Sequence, residues 1–462
     1  MDASIIFLED SIERYKRVNR ITDPIWGQIE ITKSGPWGIG EQAILDTPWV
    51  QRLRQIHQLQ STWWVFPGAE HSRFMHLLGT MHLAGKLTRQ VYSSLVKNVE
   101  GTPSLPLVEE TMRLAGLLHD IGHGPFSHFF DWYYGIPVYG IDHEMIGRKI
   151  ILEKLYDLIA GIKQSPLGFF ASGENIDPNW VAWLMDSRNT EDFLPPEWLL
   201  ACKSILCGPA SADNMDYVPR DAYMCGIGLS SVKSEIERII GYSTIAEGTV
   251  VLHSNAIGAL ETFLAARLSL YMNVYFHRTA RRVDLMMADI FPDTMEEMGV
   301  GNPLENLEKF LEITNWTVFT EVQQWLKEPE GSKKRKLGVA WDRLRRRDLD
   351  WSLAFETQLP GVEVNRAVLT LKIKMKLPDR KGLDFRVDIA SANIISQNPL
   401  VDDGFIAIYD PLKGVVSKTA ASTYVPRLPQ YNRIIRVFSK KAQDDEILQK
   451  ATEEVLRDLI KE

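Results

Sequence analysis

Apolar positions in roughly the first 300 residues recur with helical spacing, and this periodicity is the primary sign of packed helices. Residues 19–33 are the exception at the start. Pro24 and Gly27 punctuate them and Gln28–Thr32 alternates polar with apolar, which predicts a short β-hairpin. Asp46-Thr47-Pro48 then reads as a helix start, with Asp46 as N-cap and proline in the first turn. Val50, Leu53, Ile56, His57 and Leu59 follow at helical spacing. Further helices are expected over 73–98, 107–122, 142–160, 197–207 and 211–224. The longest periodic run is 254–288, with Leu260, Leu264 and Leu268 four apart and Tyr271 closing the series.

Past Pro303 the texture changes. Residues 304–327 remain helical in pattern, and Glu330 to Lys336 reads as a polar, basic loop that continues into four arginines between Arg343 and Arg347. From about 353 to 439 the pattern predicts strands: Val368–Lys376 alternates with period two, and Phe405–Tyr409 is a buried-strand run. An amphipathic helix is expected at about 441–461. The predicted fold is mainly α, a helical core with a short N-terminal hairpin and a smaller C-terminal α+β region. The expected division is 1–300 for hairpin and core, and 301–462 for the C-terminal region with its basic loop at 330–347.

Composition narrows the function classes. The 462 residues are 45% hydrophobic and 24% charged, with net charge −8, so the chain has material for a packed core. A surface that binds nucleic acid everywhere would be strongly basic. Any such binding would be local to 333–347. Three cysteines (Cys202, Cys207, Cys225) are too few for a disulfide framework or a four-thiolate zinc site. With no secretory signal and no run of about 20 apolar residues, a cytoplasmic protein is expected.

Histidine is the compositional anomaly, since eight of the ten fall between His57 and His143. His57, His82 and His253 read as packed or surface residues. Six others fall in three elements: Glu70–His76; Leu117–His128, which contains His119-Asp120-Ile121-Gly122-His123-Gly124-Pro125-Phe126-Ser127-His128; and Asp142-His143-Glu144; a fourth element, Ser211–Asp221, contributes acidic residues. Adjacent His119 and Asp120 at a helix end offer an imidazole and a carboxylate to one ion. His76 and Asp213 would add a nitrogen and an oxygen from other helices. Two imidazoles with two carboxylates suit a divalent Mn, Fe, Zn, Ni or Mg ion, which would acidify water and neutralise phosphate charge.

The ordered set His76 … His119-Asp120 … Asp213 resembles the signature of the HD-domain metal-dependent phosphohydrolases. The finer similarity is to their deoxynucleoside triphosphate triphosphohydrolase branch. It is carried by Asp23-Pro24-Ile25, Gln51–Leu59, Val65–Ala69, Arg73–His76, His119–Asp131, Asp213–Asp221 and Tyr271–Arg278. It spans about 20–290 and continues weakly near 388–412.

The resemblance implies metal ligands at His76, His119, Asp120 and Asp213, with His123, His128 and His143 lining the scissile phosphate in acid/base roles. It implies a phosphate clamp at Arg73 and contact of Arg267 with the distal phosphates. Arg278 is left between a phosphate contact and an ion pair. Gln58 and Leu59 would pack under the deoxyribose, Tyr217 beneath the sugar, Asp221 on the 3′-hydroxyl and Tyr275 toward the base. Asn214 stands where regulated vertebrate members carry a phosphate-binding lysine. Asp46, Gln51 and Arg54 match positions that read a guanine nucleotide between subunits, although Thr22 replaces the asparagine of those members.

The resemblance therefore implies a nucleotide substrate, a homo-oligomer and a nucleotide activator at a subunit interface. The expected activity is hydrolysis of dNTPs to deoxynucleoside and triphosphate. The alternatives are an HD phosphodiesterase or phosphatase acting on another nucleotide, and a nucleic-acid-binding regulatory protein.

Overall fold

The structure is a computed structural model that describes residues 14–186, 193–228, 231–359, 363–377, 383–393, 405–420 and 431–461. Residues 1–10, read above for a signal, and 394–404, within the weaker resemblance, lie outside the described residues. The fold is mainly α. Strands Val18–Asp23 and Gly27–Thr32 form the expected hairpin, with Gly27 at φ 79° making the turn.

Two long antiparallel helices, Arg73–Asn98 and Leu105–Leu118, form the centre. Their facing sides are almost continuously apolar, from Phe74, Leu77 and Met81 to Leu95 on one and Leu107 to Leu118 on the other. Ala212–Met224 packs against Arg73–Asn98, and Ile257–Leu270 packs in turn against Ala212–Met224 and Val232–Gly241. A single apolar cluster runs from Ile25 through Trp351 and takes in Ile408 and Phe438. A second cluster joins Leu369, Ile373, Ile435, Val437, Leu448 and Val455.

The C-terminal strands divide between two sheets. Phe385–Asn393, Tyr431–Ser439 and Ser352–Gln358 form an antiparallel sheet. Phe405–Asp410 and Val415–Ala420 instead extend the pair Ser243–Ala246 and Thr249–His253, through a parallel pairing of Leu252 with Ile408. Among the described residues, no helix is long and apolar enough to cross a membrane.

Several elements depart from the pattern reading. Residues 368–376 belong to a helix, Arg366–Met375, rather than a strand. Leu369 and Ile373 serve either period. The Asn365 side chain decides the matter by accepting from the Ala367 and Val368 N–H groups at 2.9 and 3.2 Å. The basic loop is also largely a helix, Lys333–Arg345, capped by Ser332. Its Leu337, Trp341 and Leu344 are buried. Three cations of this segment form ion pairs: Lys333 with Asp293 and Glu296, Arg343 with Asp348 and Asp350, and Arg346 with Asp342.

Asp46 does not cap the helix at Pro48; it ends the preceding helix Glu41–Leu45, and Thr47 is the N-cap. Proline favours the first helical position, which moves the cap to the residue directly before it. The run 254–288 breaks into Ile257–Leu270, a widened turn at Tyr271–Tyr275 and Arg278–Glu297. The helix expected over 107–122 stops at Leu118, leaving His119 to His123 in turns.

A candidate metal centre and its imidazole cluster

Three helix ends meet at one point. His76 lies in the first turn of Arg73–Asn98, His119-Asp120 directly follows Leu105–Leu118, and Asp213 lies in the first turn of Ala212–Met224. Ser211 caps that last helix, accepting from Asn214 N–H at 3.2 Å. His76 Nε2 is 3.1 Å from Asp213 Oδ1 and 3.7 Å from Asp120 Oδ2. His119 Nε2 is 3.4 Å from Asp120 Oδ2 and 3.7 Å from Asp213 Oδ1.

The outer ring nitrogens show whether this set fits a cation. His76 Nδ1 donates to Asp216 Oδ2 at 2.8 Å, and His119 Nδ1 donates to the Gly116 carbonyl at 2.9 Å. Each ring thereby presents Nε2 as a lone pair toward two carboxylates. His119 Nε2 is buried with no hydrogen-bond partner. Lone pairs facing carboxylates repel unless positive charge lies between them, so the residues fit a divalent ion. His76, His119 and Asp213 could hold it, with ligand atoms all within 4.8 Å of one another. Asp120 borders the same space, although its Oδ2 is also engaged by Arg73.

The protein alone answers the repulsion by shifting protons. Burial would push His76 down, but Asp213 and Asp216 outweigh it and raise the ring to about 10. Burial likewise opposes ionisation of Asp213, yet His119 and His76 hold it well below the carboxylate range.

Behind His76, Asp216 also accepts from Trp26 Nε1 at 2.5 Å and from Arg220, which binds Asp23 in turn. Gly79 permits this approach, because a Cβ there would collide with the Asp216 carboxylate. Asp216 was missed in the sequence. Its signal is the i+3 spacing from Asp213 and the i,i+4 pairing with Arg220.

Next to the ion site lies a cluster of three imidazoles around Asp131. Asp131 Oδ2 is 2.7 Å from His143 Nδ1, 3.4 Å from His128 Nδ1 and 3.8 Å from His123 Nδ1. The His123 and His143 rings stack with centroids 3.8 Å apart, and His128 meets both edge-on. His123 Nε2 lies 3.2 Å from Asp120 Oδ1, which connects the two clusters. Burial opposes protonation of His143, but Asp131 raises it to about 9. Burial, with Arg73 and His143 beside it, holds His123 well below its ordinary value. Asp131 was also missed; its signal is the i,i+3 spacing after His128. Gly122 admits the His143 segment, since a Cβ there would strike the His143 carbonyl.

The remaining candidates fall into two groups. Asp221 is buried, accepts from His71 Nε2 at 2.8 Å through Oδ1, and accepts from the Tyr275 hydroxyl at 2.5 Å through Oδ2. Arg267 donates to the Tyr217 hydroxyl at 2.7 Å, and the Tyr217 and Tyr275 rings are 6.5 Å apart. The Gln58 N–H donates to the His71 carbonyl, its side-chain Oε1 is buried without a partner, and Leu59 is buried in the main core. The second group faces elsewhere. The Asn214 amide donates to the Gly208 carbonyl at 2.6 Å, and Arg278 is an exposed residue at a helix start.

Residues 73–175 match the model of the HD domain. The chain carries an HD domain. Residues 235–349 match the HD associated region. The chain is 27% identical over 315 residues to the deoxynucleoside triphosphate triphosphohydrolase SAMHD1 homolog of Dictyostelium discoideum, covering 63% of this chain and 53% of that protein. It therefore spans about half the length of that relative. It is 28% identical to the deoxynucleoside triphosphate triphosphohydrolase SAMHD1 of Gallus gallus, over 91% of this chain and 71% of that protein. The crystal structure of a hypothetical protein from Aquifex aeolicus shares the fold with TM-score 0.69 at 21% identity, covering 94% of this chain and 99% of that one. The segment matched by the HD domain holds His76, His119 and Asp120 of the ion site, and Asp213 lies beyond it.

Proposed function

We propose that this chain is an HD-domain phosphohydrolase that cleaves dNTPs to deoxynucleoside and triphosphate. The observation that carries this reading is the convergence of His76, His119, Asp120 and Asp213 beside the imidazoles of His123, His128 and His143. The Dictyostelium and chicken relatives, both named deoxynucleoside triphosphate triphosphohydrolases, support the substrate. A divalent ion held by the four residues would neutralise phosphate charge and acidify water. Arg73 adds a fixed cation next to Asp120, suited to charge that builds on an attacked phosphate. The three imidazoles exchange protons with the attacking water and the leaving oxygen, and Asp131 orients them. Asp221, which accepts from the Tyr275 hydroxyl, meets the 3′-hydroxyl of the sugar, with Tyr217, Leu59 and Gln58 around the sugar, Tyr275 toward the base and Arg267 toward the phosphates.

A homo-oligomer with a nucleotide activator at Asp46, Gln51 and Arg54 belongs to the same proposal. Gln51 and Arg54 support it by bonding side chain to side chain at 2.8 Å. Sedimentation with and without GTP tests it. For the activity, the purified chain is incubated with each dNTP and Mn²⁺, Mg²⁺ or Fe²⁺, and the products are separated by chromatography. Deoxynucleoside plus tripolyphosphate is the expected result. Deoxynucleoside monophosphate plus pyrophosphate, or no turnover, rejects the reading.

The second reading keeps the ion and changes the substrate to another nucleotide, as a phosphodiesterase or phosphatase. Asn214 favours it, being uncharged and engaged by Gly208. A panel of mono-, di- and cyclic nucleotides separates the two.

A further inference from the structure

The turn between the ion site and His128 has a strained backbone. Phe126 and Ser127 are consecutive non-glycine residues with φ of 60° and 61°. L side chains avoid this region because Cβ crowds the backbone, and two such residues in a row persist only where their surroundings hold them. His123 lies just before this pair and His128 directly after it. Any relaxation of the turn would therefore move both imidazoles.

The restraints on the turn come from three directions. The Phe126 N–H donates to Asn315 Oδ1 at 2.8 Å, and Asn315 Nδ2 is 2.9 Å from His57 Nδ1. Ser127 Oγ donates to the His57 carbonyl at 2.7 Å and accepts from Arg73 Nε at 2.7 Å. The His123 carbonyl accepts from Arg52 at 2.8 Å, and the other arm of that guanidinium donates to the Ile313 carbonyl at 2.9 Å. Arg52 is buried, lies over the Phe310 ring at 4.5 Å and directs both hydrogen bonds to carbonyls. The Phe126 ring sits among Phe291, Phe319, Trp341 and Trp64, with centroids 5.6–6.5 Å away. Ile313, Asn315, Phe291, Phe319 and Trp341 all belong to the HD associated region, outside the 73–175 segment that carries the histidines.

We propose that the HD associated region is a clamp on the catalytic turn, with Asn315 and Arg52 as the positioning residues that set His123 and His128. This rests on the hydrolase reading above. Neither residue reaches the ion site. The clamp therefore acts on the geometry of proton transfer and leaves cation binding alone.

The test uses the full chain loaded with Mn²⁺ and compares Asn315→Ala with Asn315→Asp. Asp keeps an oxygen for the Phe126 N–H and Ala does not. The expected result for Asn315→Ala is a fall in kcat of about tenfold or more, since displacements near 1 Å cost up to about a hundredfold. Its KM stays within about twofold and its bound Mn²⁺ is unchanged, while Asn315→Asp recovers most of the rate. Wild-type kcat in Asn315→Ala, or equal loss in both variants, overturns the proposal.

Should Asn315→Ala fail to fold, Arg52→Lys takes its place. Lysine keeps the charge without spanning both carbonyls; lower kcat supports the clamp and unchanged kcat overturns it. If the wild-type chain cleaves no dNTP, the substrate reading fails by itself. The clamp is then read from the imidazole NMR signals of Asn315→Ala. Displaced His123 and His128 resonances beside an unmoved His253 support it, and unmoved His123 and His128 resonances overturn it.

Discussion

Asp216 takes no place in the proposed cation shell, yet it fixes which nitrogen His76 offers. Its carboxylate accepts from His76 Nδ1, Trp26 and Arg220, so the His76 Nε2 lone pair faces Asp213. Outer partners of this kind typically govern metal affinity by ten- to a hundredfold. Asp216→Asn keeps the volume and weakens the acceptor, so Mn²⁺ affinity measured by titration calorimetry should fall by about that factor. An unchanged affinity would show that the His76 tautomer is set some other way. The difference between what was legible in the sequence and what was not is clear at this scale. His76, His119, Asp120 and Asp213 stand out because imidazole and carboxylate recur together in apolar helix ends. Asp216 and Asp131 look like ordinary helical acids, and only folding shows that they orient imidazoles. Asn315 gave no signal, since its partner, the Phe126 N–H, is 189 residues away in sequence.

Helices were read best where one period dominates. Arg73–Asn98 has the predicted bounds, whereas the pattern of Arg366–Met375 supports both periods and the Asn365 cap decides for the helix. Leu105–Leu118 raises a different question, because its apolar pattern includes three fully buried charged residues, Glu109, Glu110 and Arg113. Arg113 donates to Glu41 Oε1 at 2.7 Å, and Glu109 accepts from Arg89 and Ser165. Both Glu110 oxygens lack a hydrogen-bond partner. Burial, with Glu41 beside it, raises this carboxyl well above its ordinary value. Between the unfolded and the raised folded pKa the native chain binds more protons than the unfolded chain, so this group's contribution to stability falls as pH rises. Glu110→Gln removes that dependence. Its melting temperature relative to wild type should gain increasingly from about pH 5 to about pH 8. A difference that is flat across that range would mean that Glu110 ionises freely in the folded chain.

The whole molecule brings the ends of three helices to one proposed cation, and this has a thermodynamic consequence. An ion that binds the folded chain alone stabilises it by about 2.7 kcal/mol at a hundred times its dissociation constant. For 462 residues, at about 2.1 cal/mol/K of unfolding entropy per residue, each kcal/mol moves the melting temperature by about 1 °C. The expected rise with Mn²⁺ is therefore about 3 °C, reversed by a chelator, which is within reach of a thermal melt. The same melt distinguishes the two clusters of potential ligands. If the ion sits among His76, His119, Asp120 and Asp213, Asp213→Ala abolishes the rise while His143→Ala retains it. If it sits around Asp131 instead, the pattern inverts. The second result would transfer the cation to the imidazole cluster and leave the carboxylates of Asp120 and Asp213 to balance a protonated His76.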